Sequence, residues 1–95
     1  MIRRAATSAA PLPDALLAAE AKVLAAETAI RVTNDALQIF GARGYSRAYP
    51  LERMVRDARM FTIGGGTAQV LRTLIASRLL GWKLPQHRGA YLDRP

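Results

Sequence analysis

The sequence predicts an all-α fold on three observations. Its apolar content leans on Ala and Leu, its apolar positions recur at spacings of three and four, and Gly and Pro fall at helix-length intervals. Apolar residues are 51% of the 95 but aromatic residues only 6%, a balance that favours helices over a sheet. A chain of this length supplies at most one small domain, whose core is marginal unless it packs on something else.

Any helix arriving through residues 2–9 stops at Pro11-Leu12-Pro13, where the rings and their restriction of preceding residues forbid its continuation. A new helix then begins. Leu16, Ala19, Val23, Ala26, Ile30, Thr33, Leu37 and Phe40 draw one stripe along about seven turns. Ala19, Ala26 and Thr33 are small enough for close helix approach, and Leu17, Leu24 and Ile39 widen the stripe, which predicts neighbours on more than one side.

Gly41 and Gly44 end that helix, as expected where a helix closes with a residue at positive φ. The chain turns through Tyr45 to Tyr49, and Pro50 suits the first position of a second helix, where its missing N–H has no partner to lose. Leu51, Met54, Val55 and Ala58 share one face; Glu52 with Arg56 and Arg53 with Asp57 are ion pairs four apart on the other. This helix ends near Phe61. Gly64-Gly65-Gly66 interrupts the chain, and Thr67 is the expected N-cap of a third helix carrying Val70, Leu71, Leu74, Ile75 and Leu79, stopped by Gly81. The tail from Trp82, with Pro85, Gly89 and Pro95, reads as extended and pinned by Trp82 and Leu84.

Composition excludes several classes. Without cysteine there is no disulfide, thiolate metal site or cysteine nucleophile, and a single histidine builds no metal centre. No apolar run approaches the roughly 20 residues of a membrane span. A net charge of +7 raises nucleic acid as a partner. Arg31, Arg43, Arg47, Arg53, Arg56, Arg59, Arg72 and Arg78 are scattered, however, and several have acids one turn away, so no nucleic-acid partner is expected. The N-terminus contains arginine and lacks acids before Asp14, which faintly matches an organelle transit peptide; a helix end entering from upstream explains it equally well.

The triple glycine leading into a Thr-capped helix places backbone N–H groups at the positive end of a helix dipole, suited to an anion or a carbonyl oxygen. A flexible joint between two helices explains it equally. It is neither a Walker loop, lacking the following Gly-Lys-Ser/Thr, nor a dinucleotide fingerprint, lacking a preceding strand. Ser8, Ser46 and Ser77 have no His and acid beside them, His87 stands by itself in the tail, and Glu52 and Asp57 lie among arginines as structural pairs. No complete active site is present.

Taken in order, residues 13–81 resemble the C-terminal helical domain of the acyl-CoA dehydrogenase family. The resemblance rests on Ala36 to Tyr45, Pro50 to Arg53, Arg56 to Ala58 and Gly65-Gly66-Thr67, all in register with the family's motifs. Residues 1–12 are then a remnant of a preceding helix with a Pro-containing linker, and 82–95 a C-terminal tail. The resemblance implies part of an up-down helical bundle, from an enzyme that uses FAD to oxidise an acyl-CoA thioester at its α and β carbons. It implies cofactor contact by Gln38, Ile39, Phe40, Gly41 and Ala42, commonly with the FAD of a neighbouring subunit, and by Thr67, Ala68 and Gln69. Gly65 and Gly66 would meet the substrate.

Two departures stand out. Gly65 occupies the position where many members carry the catalytic glutamate, so no catalytic side chain is present, though its N–H would still polarise the thioester carbonyl. Ala42 replaces a second glycine and is followed by Arg43, which narrows the approach to the diphosphate and offsets this with charge. The implied parent is a homotetramer passing electrons to an electron-transfer flavoprotein or similar acceptor, in a bacterial cytoplasm rather than a mitochondrial matrix. The N-terminal helical and middle β domains of such enzymes are missing, so the chain is expected to be a C-terminal fragment, inactive by itself. The alternatives are a relative with altered chemistry (an oxidase, monooxygenase or desulfinase-like member) and a non-catalytic helical interaction module.

Overall fold

The computed structural model describes residues 2–6 and 14–84, and within them the regular structure is entirely helical. The Pro11–Pro13 boundary, Ser8, His87 and the tail beyond Leu84 lie outside the described residues. The long helix is α2, Ala15–Phe40, preceded by α1, Ile2–Ala6. Asp14 caps α2, its carboxylate accepting the Leu17 N–H at 2.9 Å and so satisfying one of the donors that a helix start leaves open. At the other end Gly41 takes φ +61°, and its N–H donates to the carbonyls of Leu37 and Gln38.

A short helix follows, α3, Ala42–Tyr45, where the sequence predicts only the glycine end of the long helix and a turn from Tyr45. Gly44 allows it. A Cβ built there would stand 2.5 Å from the Leu37 carbonyl oxygen, so only glycine lets the chain fold back onto the last turn of α2. Its φ is not positive, so Gly44 serves close approach rather than backbone conformation. Next come α4, Leu51–Met60, and α5, Ala68–Leu80. Pro50 sits just before α4, its carbonyl accepting the Met54 N–H at 3.0 Å. Thr67 caps α5 by accepting the Val70 N–H at 3.1 Å, and Gly81 ends it in the left-handed conformation.

The helices are arranged around α2. Helices α1, α3, α4 and α5 each pack on it and α3 touches α4, but α4 and α5 do not pack on each other. The stripe explains this contact: Ala19, Val23 and Ala26 are buried, and Leu16, Ile30, Thr33 and Leu37 half-buried. The rest of the core is Ala5, Ala21, Ala58 and Ala68, and among the described residues no large side chain is fully enclosed. Burying a methyl-sized group stabilises by about 0.8 kcal/mol against roughly 1.5–3 kcal/mol for a Leu or Phe, so this core is weak. The Cα radius of gyration, 17.3 Å, exceeds the roughly 12 Å of a compact chain this long.

The outward faces differ from the sequence expectation. Leu24 and Ile39, expected to meet further neighbours, are exposed, Ile39 by 84%. Phe40, Met54 and Leu79 also leave their stripes for solvent, because within the described residues nothing packs over them. Trp82 is tied through its backbone, its N–H donating to the Ser77 carbonyl and its own carbonyl accepting from the Ser77 hydroxyl, while the ring is exposed. Glu52 and Arg56 form the expected pair with two hydrogen bonds, 2.8 and 3.1 Å, and this bonding holds the Glu52 carboxyl below its usual range. Arg53 and Asp57 do not pair.

Candidate functional site

The Gly64-Gly65-Gly66 loop is a closed turn rather than a loose joint. Gly64 N–H donates to the Met60 carbonyl at 2.8 Å, and Ala68 N–H reaches back to the Thr62 carbonyl at 3.0 Å. Thr62 is buried, its hydroxyl donating to the Arg59 carbonyl and accepting from the Arg59 guanidinium. Gly65 and Gly66 have φ of +68° and +98°. A side chain at Gly65 would be strained by roughly 1–2 kcal/mol in that left-handed region, so the loop as folded is built for glycine at this position.

From α2, Lys22 reaches this loop and donates to two of its carbonyls, those of Gly64 and Gly66, the latter at 2.6 Å. The sequence reading missed Lys22. The signal was present: Lys22 lies three residues after Ala19 and four before Ala26, a cation inside the stripe that α2 buries. A half-buried ammonium there needs acceptors, and unpaired carbonyls of a glycine turn provide them.

Beside the loop, the start of α5 borders a cleft of about 290 Å³ lined by Glu27, Ile30, Thr62, Ile63, Thr67 and Gln69, among others. Thr67 is half-buried, Ala68 buried and Gln69 exposed. Glu27 on α2 and Arg72 on α5 form an ion pair that joins the two helices here. Thr67, Ala68 and Gln69 are thus brought together with Gly65 and Gly66 by the loop and the cap.

The other candidate cofactor residues form a separate corner. Gln38, Ile39, Phe40, Gly41 and Ala42 are all exposed. Ile39, Phe40, Ala42 and Arg43 line a surface hollow of about 520 Å³, and the space where a Cβ of Gly41 would stand is open. Ala42 is the first residue of α3, in ordinary helical backbone, so its methyl group is accommodated. Along α2, Gln38 lies eight residues beyond Ile30 of the cleft, roughly 12 Å of helix, so the two groups do not share a wall. The corner fits a nucleotide by chemistry: exposed apolar surface, a Gln amide, an unshielded glycine backbone and a cation in sequence. Within the described residues no cluster of His, Cys, Asp and Glu is arranged to hold a metal, and no helix is long and apolar enough to cross a membrane.

Comparison with known proteins identifies the family. The chain is 63% identical to 3-sulfinopropanoyl-CoA desulfinase of Advenella mimigardefordensis, across 97% of this chain and 23% of that protein. With the enzyme of the same name from Cupriavidus necator it shares 57%, across 99% and 24%. A probable acyl-CoA dehydrogenase of Bacillus subtilis is 49% identical, across 66% of this chain and 17% of that protein. The chain spans about a quarter of the length of the desulfinases it matches. Residues 1–80 match the acyl-CoA dehydrogenase C-terminal domain, and with the all-helical fold this places the chain in the acyl-CoA dehydrogenase family.

Proposed function

We propose that this chain forms the glycine-loop wall of an acyl-CoA-processing flavoenzyme whose reaction is removal of a sulfino group rather than α,β-dehydrogenation. One observation carries the reading: the desulfinase relatives are similar to nearly the whole chain, whereas the Bacillus dehydrogenase matches two thirds of it. Gly65 supports it. Dehydrogenation needs a base at the α-carbon, and glycine has none to offer.

Loss of a sulfino group exchanges a carbon–sulfur bond for a carbon–hydrogen bond: R–SO2⁻ and H2O give R–H and HSO3⁻. Water supplies the proton and the third oxygen, and no net oxidation occurs. The Gly65 N–H still serves to polarise the thioester carbonyl.

FAD, when bound, supplies a two-electron acceptor and the planar group around which such sites are built. In this proposal Gln38, Ile39, Phe40, Gly41 and Ala42, with Arg43, hold its adenosine and diphosphate end, and Thr67, Ala68 and Gln69 meet it from the α5 side. On this reading the Gln38–Ala42 corner meets the FAD of a neighbouring subunit of a homo-oligomer. The acyl-CoA thioester meets Gly65 and Gly66, and the setting is the bacterial cytoplasm. Dehydrogenation, with its base on an earlier helix and an electron-transfer flavoprotein as acceptor, is the second reading, favoured by the 49% identity to the probable Bacillus dehydrogenase. A full-length protein in which this chain follows the N-terminal and middle domains of its family, incubated with 3-sulfinopropanoyl-CoA, is expected to release sulfite in step with substrate loss, and the 95 residues alone are not. Enoyl-CoA formation from a saturated acyl-CoA, without sulfite release from the sulfinate, would establish the second reading instead.

A further inference from the structure

The Lys22 contact has a geometric consequence at the opposite side of the glycine loop. A trans peptide unit is planar, with each N–H pointing opposite to the carbonyl of the residue before it. With the Gly64 and Gly66 carbonyls drawn to the Lys22 ammonium, the N–H groups of Gly65 and Thr67 point away from α2. Neither donates to any of the described residues, whereas Gly64 N–H and Ala68 N–H on either flank are paired internally. A cation at a carbonyl also polarises its peptide unit and strengthens the N–H at the other end.

We propose that Lys22 is a positioning residue for the acyl thioester, turning and strengthening the Gly65 N–H, through the Gly64 carbonyl that it holds, as a donor to the thioester carbonyl oxygen. This rests on the acyl-CoA reading above but not on the choice between desulfination and dehydrogenation, since both chemistries begin from the same bound thioester. Lys22 touches no reacting atom. It acts through the Gly64–Gly65 peptide unit from a helix 42 residues away in sequence, while its second bond, to the Gly66 carbonyl, fixes the far side of the loop.

The test compares the full-length protein described above, with all the domains of its family, with its Lys22→Met and Lys22→Arg variants, using carbonyl-labelled propanoyl-CoA as probe. In the parent protein the bound carbonyl stretch falls below its value in free solution. It returns most of the way in Lys22→Met and stays low in Lys22→Arg. Hydrogen exchange at the Gly64 and Ala68 amides rises tenfold or more in Lys22→Met while amides in the middle of α2 are unchanged, which separates loss of the clamp from general unfolding. Turnover falls by about 10²-fold, the loss seen on removing one oxyanion donor, with KM within about twofold. A carbonyl stretch equal in parent and Lys22→Met, or unaltered exchange at Gly64 and Ala68, would overturn the role of Lys22. Failure of the parent protein to bind any CoA thioester overturns the acyl-CoA reading itself and the donor role with it.

Discussion

The chain breaks its helices with glycine twice, at Gly41–Gly44 and at Gly64–Gly66, and the two breaks are opposites. At the first, every tie is local: Gly41 bonds to the last turn of α2, and Gly44 presses against Leu37 of that same turn. At the second, the turn is held by a side chain from a distant helix, and Gly65 is open to solvent except for Lys22. The corner displays an exposed surface whose shape α2 dictates, whereas the loop gets its shape from tertiary contact. A local break keeps its geometry while neighbours are exchanged; a tertiary one is preorganised only when the fold around it is intact.

Adding one methyl group to each break exposes the contrast most strongly. Gly44→Ala drives a Cβ to within 2.5 Å of a backbone oxygen that has nowhere to go, and destabilises by about 3 kcal/mol. Gly64→Ala meets the Met60 sulfur at 3.0 Å, the far end of a flexible side chain, and the Met60 carbonyl oxygen at an ordinary contact distance of 3.6 Å, and costs under about 1 kcal/mol. Urea unfolding followed by circular dichroism measures both. Equal midpoints would mean that the corner is no more rigid than the loop.

A smaller effect is expected at the helix that the loop feeds. Thr67→Ala removes the acceptor for Val70 N–H and costs about 1 kcal/mol, with faster amide exchange confined to the first turn of α5. Exchange spreading to the Gly41–Gly44 corner would contradict the separation of the two regions.

The smallest effect belongs to Glu52 and Arg56 on α4. The Glu52 carboxyl, lowered by its hydrogen bonds to Arg56, contributes stability above the ordinary carboxylate range, and that contribution is lost as pH falls through the lowered value. Glu52→Gln is expected to lower stability slightly at neutral pH and to converge on the parent once pH falls below the lowered value, so that this one component disappears from the acid limb of a pH titration of stability. Because the pair is on the surface, salt should mimic the substitution.

Local rules placed most of the fold. Asp14, Gly41, Thr67 and Gly81 mark helix ends through bonds to residues within a turn, so their effect is written in neighbouring sequence. Helix α3 was missed because it depends on what glycine at position 44 allows against Leu37, a close approach that no periodicity encodes. The stripe on α2 located its packing face but not its outer limits; Ile39 and Phe40 continue the apolar pattern onto a surface that the described residues leave open. At the site, the motif residues were found by resemblance, yet the side chain that shapes the glycine loop, Lys22, comes from another helix and follows no motif. Its only mark is its place in a buried stripe.

The radial arrangement around α2 also sets how disturbances spread. Since α1, α4 and α5 contact α2 but not one another, strain introduced on one satellite helix reaches another only through α2 or a connecting loop. Paired substitutions on α4 and α5 facing away from α2 should therefore add. The exception is the 61–67 connection, where the Ala68-to-Thr62 hydrogen bond ties the start of α5 to the residues just beyond α4. The glycine loop is thus the direct route by which α4 and α5 sense each other, so the segment that would receive substrate is also the place where two otherwise independent helices become one cooperative unit.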